Sequence, residues 1–120
     1  MTVAKAKGAK GACDILWQRI VKEPQQCERC GLRGVVFHAA HIIPRHYAKV
    51  RTNEANGWCL CGACHQKVDS FPDEKMMLVE RTIGRLAYED MREVAEDIRR
   101  KMDWEDERVR LKGILERLAA

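Results

Sequence analysis

At 120 residues, 46% of them hydrophobic, the chain has room for one compact domain with appended helices but not for two independent cores. The opening MTVAKAKGAKGAC is not an apolar leader, and no later run approaches membrane-span length, so the expectation is a cytoplasmic protein with no membrane partner. The net charge of +4 is unevenly spread: residues 1–12 hold three lysines and no acid, residues 13–65 hold seven basic and four acidic side chains, and the remainder holds 12 basic and 14 acidic. A polyanion would therefore be drawn to the first half.

The Lys/Gly/Ala opening, residues 1–12, has too little apolar content to order itself and is expected to be a flexible basic tail carrying Lys5, Lys7 and Lys10. A short helix follows, with Ile15, Leu16, Trp17, Ile20 and Val21 as its apolar stripe and Pro24 as its stop. From Cys27 to Ser70 the texture changes to cysteine, histidine, glycine and β-branched residues, and VVFHAAHII reads as a strand. On a regular strand His38 and His41, an odd number of residues apart, face opposite sides. Beyond Phe71 the sequence is helical. Pro72 stands near a first helical position, Gly84 is a stop, and Asp103 is an N-cap for the last helix. Met76, Met77, Leu78, Met91, Val94 and Ile98 are expected to serve packing.

Six cysteines in a reducing compartment point to metal ligation before disulfides. CERC (Cys27, Cys30) and CGAC (Cys61, Cys64) match a tetrahedral structural Zn²⁺ site. The 30 residues between the knuckles exceed the spacing of simple fingers, so the loop must contain structure of its own. Cys59, at strand alternation from Cys61, reads either as a fifth thiol near the metal or as a buried apolar residue, with burial favoured because zinc wants only four ligands, and Cys13 reads as inert. All four histidines, His38, His41, His46 and His65, fall inside the clamped region, which favours a site over scattered structural roles.

The run AHIIPR, then Asn56, then CLCGACH ending at His65, resembles the HNH motif of the ββα-metal (His-Me) finger endonucleases, in the subgroup braced by a four-cysteine zinc. The order of histidine, two arginines, asparagine and CLCxxCH is similar to that of small phage-borne HNH proteins. The resemblance implies an α+β fold, a ββα-metal finger over residues 13–70 with its leading helix, followed by a helical extension over 71–120 packed on or beside it. It implies that His41 is the general base, that Asn56 orients it through the loop backbone or, as in some relatives, approaches the metal, and that His65 ligates a catalytic divalent cation such as Mg²⁺ or Mn²⁺. Many members carry an acidic residue or histidine immediately before the base, where this chain has Ala40. His38 stands where relatives with Ala-Ala-His carry an acidic or polar residue, and is the leading substitute ligand. Water and phosphate around His65, or an impaired enzyme, are the alternatives. Arg45 and Arg51 suit bidentate phosphate contact, and a solvated loop charge is the competing reading.

The activity implied is metal-dependent hydrolysis of DNA phosphodiesters, mainly nicking. Sequence specificity is expected to be low, because no recognition helix is evident. DNA is the expected partner, with phage packaging or recombination proteins as further ones. Two rivals are a non-catalytic zinc module that binds nucleic acid, for which Ala40 speaks, and a protein-binding adaptor acting through the helical tail.

Overall fold

The computed structural model describes residues 8–99 and 101–120, in the order α1 (Gly8–Val21), β1 (Phe37–His41), β2 (Gly57–Cys61), α2 (Gly62–Ser70), α3 (Pro72–Thr82), α4 (Arg85–Glu96) and α5 (Trp104–Ala119). The two strands form an antiparallel hairpin in which Phe37 pairs with Cys61 and His41 with Gly57. With α2 directly after β2, this is the expected α+β finger, with one helix before it and helices after it. Among the described residues no helix is long and apolar enough to cross a membrane.

The core of the finger joins Phe37, Ala40 and Ile42 of the first strand region to Trp58, Cys59 and Leu60 of the second, with Val68 from α2 and Leu78 and Val79 from α3. The strand residues are β-branched, aromatic or small, as a half-buried pleated surface demands. α3 starts on Pro72, whose missing N–H costs nothing at a helix N-terminus. It is tied to β2 by the Trp58 indole N–H, which donates to Thr82 Oγ1 at 2.9 Å. α4 covers the loop after β1 through Met91, which packs with Ile43 and Val50.

Two elements depart from expectation. α1 begins at Gly8, inside the opening expected to be flexible, and Lys10 lies on it with its ammonium 5.5 Å from the centre of the Trp104 ring. The cause is tertiary. α5 folds back along α1, burying Cys13, Ile20 and Leu111 together, and Cys13 Sγ–H donates to the Trp104 carbonyl at 3.3 Å. Lys5 and Lys7 lie outside the described residues. Of the apolar residues expected to pack, Leu78 and Met91 are buried but Met77, Val94 and Ile98 are exposed, because α3 and α4 each bury one narrow face only and Ile98 lies beyond the end of α4. Asp103 caps α5 as its position predicts, its carboxylate accepting from the Asp106 N–H at 3.1 Å.

At the end of the hairpin where the loop joins the strands, a glycine is required. A Cβ at Gly57 would lie 2.6 Å from Val21 Cγ2 and 2.8 Å from Trp17 Cζ2, so only hydrogen lets α1 approach this closely. That contact brings Trp17 to His41, the partner of Gly57 across the ladder.

Candidate active site and metal centres

The four knuckle cysteines converge from three places: the turn before β1, the end of β2 and the first turn of α2. Their Sγ atoms all lie within 4.8 Å of one another. Cys30 Sγ and Cys61 Sγ are 3.8 Å apart, and thiolates at about 2.3 Å from a tetrahedral zinc stand ~3.8 Å from each other. Gly31, at φ 81°, turns the chain so that its N–H donates to the Cys27 carbonyl at 2.9 Å. Burial alone would raise the Cys27 thiol, but the backbone N–H groups of Cys30, Cys61 and Arg29 outweigh it and bring its pKa down to about 6. A nest of amides therefore favours the thiolate a metal needs. The Arg29 guanidinium donates to Cys64 Sγ at 3.4 Å and to Glu74 at 3.0 Å, placing a positive charge beside a cluster whose four thiolates exceed the charge of one Zn²⁺.

Arg81 donates to the carbonyls of Glu28 and Arg29, and Glu28 takes the Cys59 N–H on its carboxylate, so the first knuckle is stitched to both α3 and β2. Cys59 and Cys13 are fully buried, and burial raises both thiols, that of Cys13 to about 11. Both are kept protonated and inert, as read from the sequence.

β1 is regular, and its parity sends His38 and His41 to opposite sides. His41 turns toward α1. Its ring stacks on Trp17 with centroids 4.0 Å apart and planes 12° from parallel. Its Nε2 lies 2.9 Å from the Arg51 carbonyl oxygen. A carbonyl only accepts, so Nε2 carries the hydrogen and the lone pair of the neutral ring is on Nδ1. Burial, reinforced by Arg45 and Arg51, outweighs that hydrogen bond and lowers the His41 pKa below 6.5, which leaves the ring neutral at pH 7.

The carbonyl that holds His41 sits on a tightly fastened loop. Asn56 is fully buried: its Oδ1 accepts from Ile43 N–H at 2.7 Å, and its Nδ2 donates to the carbonyls of Ile43 and Val50 at 3.0 Å each. One amide thus closes residues 43–56 into a fixed loop. Trp17 adds an indole N–H bond to the Asn53 carbonyl at 2.8 Å. Arg51, expected at a phosphate, is 7% exposed and makes a bidentate pair with Asp14 of α1 at 2.6 and 2.7 Å. Its guanidinium is turned inward, anchoring the loop to α1. Next to it the buried Thr52 hydroxyl donates to Glu107 of α5 at 2.5 Å, while Arg110 donates to both Glu107 and Glu54. α1 and α5 therefore grip the loop from two directions.

On the other side of β1, His38 and His65 meet with their Nδ1 atoms 2.9 Å apart. His65 follows Cys64 in α2, so the same turn carries a zinc-cluster thiol and this imidazole. One helical turn further, the Asp69 carboxylate lies 3.3 Å from His65 Nε2. Two imidazole nitrogens about 2.1 Å from one cation at a right angle stand ~3.0 Å apart, so the His38–His65 spacing fits a shared divalent cation. Asp69 stands beside the far nitrogen, the position from which a carboxylate can orient a metal-binding histidine. Ala40, on the same strand, is buried in the core and offers no ligand atom.

Arg45 and His46 are exposed on the loop after β1, and Arg45 is close enough for its charge to depress the His41 pKa. Asp14, Asp69 and Glu107 carry no role in the sequence analysis, and Trp17 enters it only as part of an apolar helix stripe. Asp69 had a local signal, its i,i+4 spacing from His65. The other three reach the site from helices far away in sequence.

Residues 27–71 match the family model described as HNH endonuclease. No curated protein and no solved structure gives a significant match to the chain. The matched span takes in both knuckles, the hairpin, the loop closed by Asn56 and the helix bearing His65, so it is this part of the chain that is similar to HNH endonucleases.

Proposed function

We propose that the protein is a metal-dependent DNA endonuclease that hydrolyses phosphodiester bonds, chiefly by nicking and with low sequence specificity. The observation that carries this reading is the state of His41: neutral, stacked on Trp17, its Nε2–H committed to the Arg51 carbonyl and its Nδ1 left with a lone pair. Nδ1 is the general base in this reading. It takes a proton from water as the water oxygen bonds to phosphorus, and the bond from phosphorus to the 3′-oxygen breaks, that oxygen then taking a proton from solvent. Asn56 is a positioning residue, since it closes the loop that holds the base. Arg45, exposed and near His41, is placed to meet the scissile phosphate, whereas Arg51 and Lys10 have partners within the protein.

His38 and His65 would hold the catalytic cation, with Asp69 fixing the His65 ring. A bound cation supplies Lewis-acid stabilisation of the charge on the pentacovalent phosphate and the leaving oxygen. Two imidazoles favour Mn²⁺ or Ni²⁺ over Mg²⁺. The four cysteines would hold zinc in a purely structural role.

Ala40 favours the alternative, a non-catalytic nucleic-acid-binding module, and one experiment separates the two. Supercoiled plasmid is incubated with the protein and Mg²⁺, Mn²⁺ or Ni²⁺, with EDTA as control. Nicking is expected only with added cation and should fall by about 10²-fold or more in His41→Ala, at unchanged zinc content. His38→Ala should lose rate at low cation and regain it at high cation, a rescue that His41→Ala cannot show. Undiminished nicking by His41→Ala would remove that residue from the mechanism, and no nicking with any cation would leave the non-catalytic reading.

A further inference from the structure

The segment following His41 forms one wall of a small cleft. We propose that this cleft binds a backbone phosphate of the DNA flanking the scissile one, with Lys75 as its principal contact; the assignment rests on the nuclease reading above. The cleft measures 160 Å³ and is lined by Ile42, Ile43 and Pro44 on one side and by residues of α3 and α4 on the other. Drug-sized ligands occupy sites of about 300 Å³ or more, so the volume suits a small group and not a whole nucleotide.

The lining has the charge an anion requires. Lys75, His46 and Arg92 all border it, against a single carboxylate, Glu96, which already accepts from Arg92 at 3.0 Å. Tyr47 and Tyr88 complete the rim. Lys75 is half-buried and, among the described residues, has no carboxylate within salt-bridge distance. Asp69 acts on it only at longer range and lies against His65 instead. Burial consequently pushes the Lys75 ammonium below its usual range. A cation partly stripped of water and lacking a counterion gains more from an arriving phosphate than a solvated surface lysine does.

Placement supports the same occupant. The wall residues Ile42 to Pro44 occupy the three positions between the base and Arg45. Lys75 is within electrostatic reach of Asp69, which in turn touches the proposed cation ligand His65. A DNA strand presenting one phosphate at His41 and Arg45 thus has a neighbouring phosphate to place in the adjacent cleft.

The test is equilibrium binding of a fluorescein-labelled 20-base-pair duplex in EDTA, followed by anisotropy across a series of salt concentrations. Lys75→Gln is expected to weaken binding about fivefold to tenfold at low salt and to reduce the slope of log K against log salt by ~0.9, the loss of one phosphate contact. Lys75→Arg should retain most of the affinity, and Lys75→Glu should lose more than the glutamine variant. Lys112→Gln, an exposed lysine on α5, is the control for simple loss of charge and should match the unaltered protein. Equal affinity and slope in Lys75→Gln, or an equal loss in Lys112→Gln, would overturn the cleft while leaving the nuclease reading intact. No binding by the unaltered protein would overturn both.

Discussion

Removing the Glu107 side chain tests whether α5 belongs to the working unit. Its carboxylate is 9% exposed and accepts from the Thr52 hydroxyl at 2.5 Å and from Arg110 at 2.7 and 2.8 Å. In Glu107→Ala the fully buried Thr52 hydroxyl loses its acceptor, a desolvation loss of about 1–3 kcal/mol. Arg110 keeps Glu54 and is 43% exposed, so its lost bonds add only ~1 kcal/mol after solvent screening. The sum, roughly 2–4 kcal/mol, corresponds to a fall in Tm of about 10 °C for a chain of this size, measured by circular dichroism on zinc-loaded protein at pH 7. The effect must also depend on pH. Burial would raise the Glu107 pKa, but Arg110 and Thr52 outweigh it and hold it below its ordinary value. A lowered carboxyl pKa contributes stability above the unfolded value near 4.5 and loses it as pH falls through the folded value. The gap between variant and unaltered protein should therefore narrow as pH falls below 4.5. A loss under ~1 kcal/mol at pH 7, or a gap that persists in acid, would refute the view that this pair fastens α5 to the loop.

Cys64→Ser should lose zinc, assayed by chelator release, and should unfold the finger, because ligation energy in so small a unit is folding energy; a folded, zinc-free variant would contradict a structural role. The lowered His41 pKa sets the pH dependence of cleavage. The base works only when neutral, so kcat/KM at saturating cation should rise with pH through a midpoint below 6.5 and then level off. An acid limb centred above 6.5 would show that the ring is not the buried neutral base described here. Trp17→Ala should lower kcat more than KM, since it removes the surface on which His41 is stacked, and an unchanged kcat would count against that role.

The parts of the fold legible in the sequence are those encoded within a few residues. Two Cys-x-x-Cys spacings announced the metal cluster, Pro72 and Gly84 bracketed α3, and Asp103 marked the start of α5. Strand parity alone separated His38 from His41. What escaped was set by contacts between distant segments. Arg51 read either as a phosphate contact or as a solvated loop charge, yet its partner Asp14 lies 37 positions away and becomes a neighbour only when α1 docks. Lys10 read as part of a loose tail, since its poor apolar surroundings become helical only against α5. The exposed Met77, Val94 and Ile98 show the complementary error: helical period identifies an apolar stripe, but how much of it is covered depends on which neighbours arrive.

The stack of Trp17 on His41 also makes the site observable. An indole 4.0 Å from an imidazole senses whether that ring is neutral or cationic, because a positive charge over the π face perturbs and quenches its excited state. Among the described residues, Trp17 is the one of the three tryptophans with a histidine ring stacked on it. Intrinsic fluorescence should thus titrate with the imidazole, and the ionisation of the proposed base can be followed in the resting protein with neither DNA nor cation present.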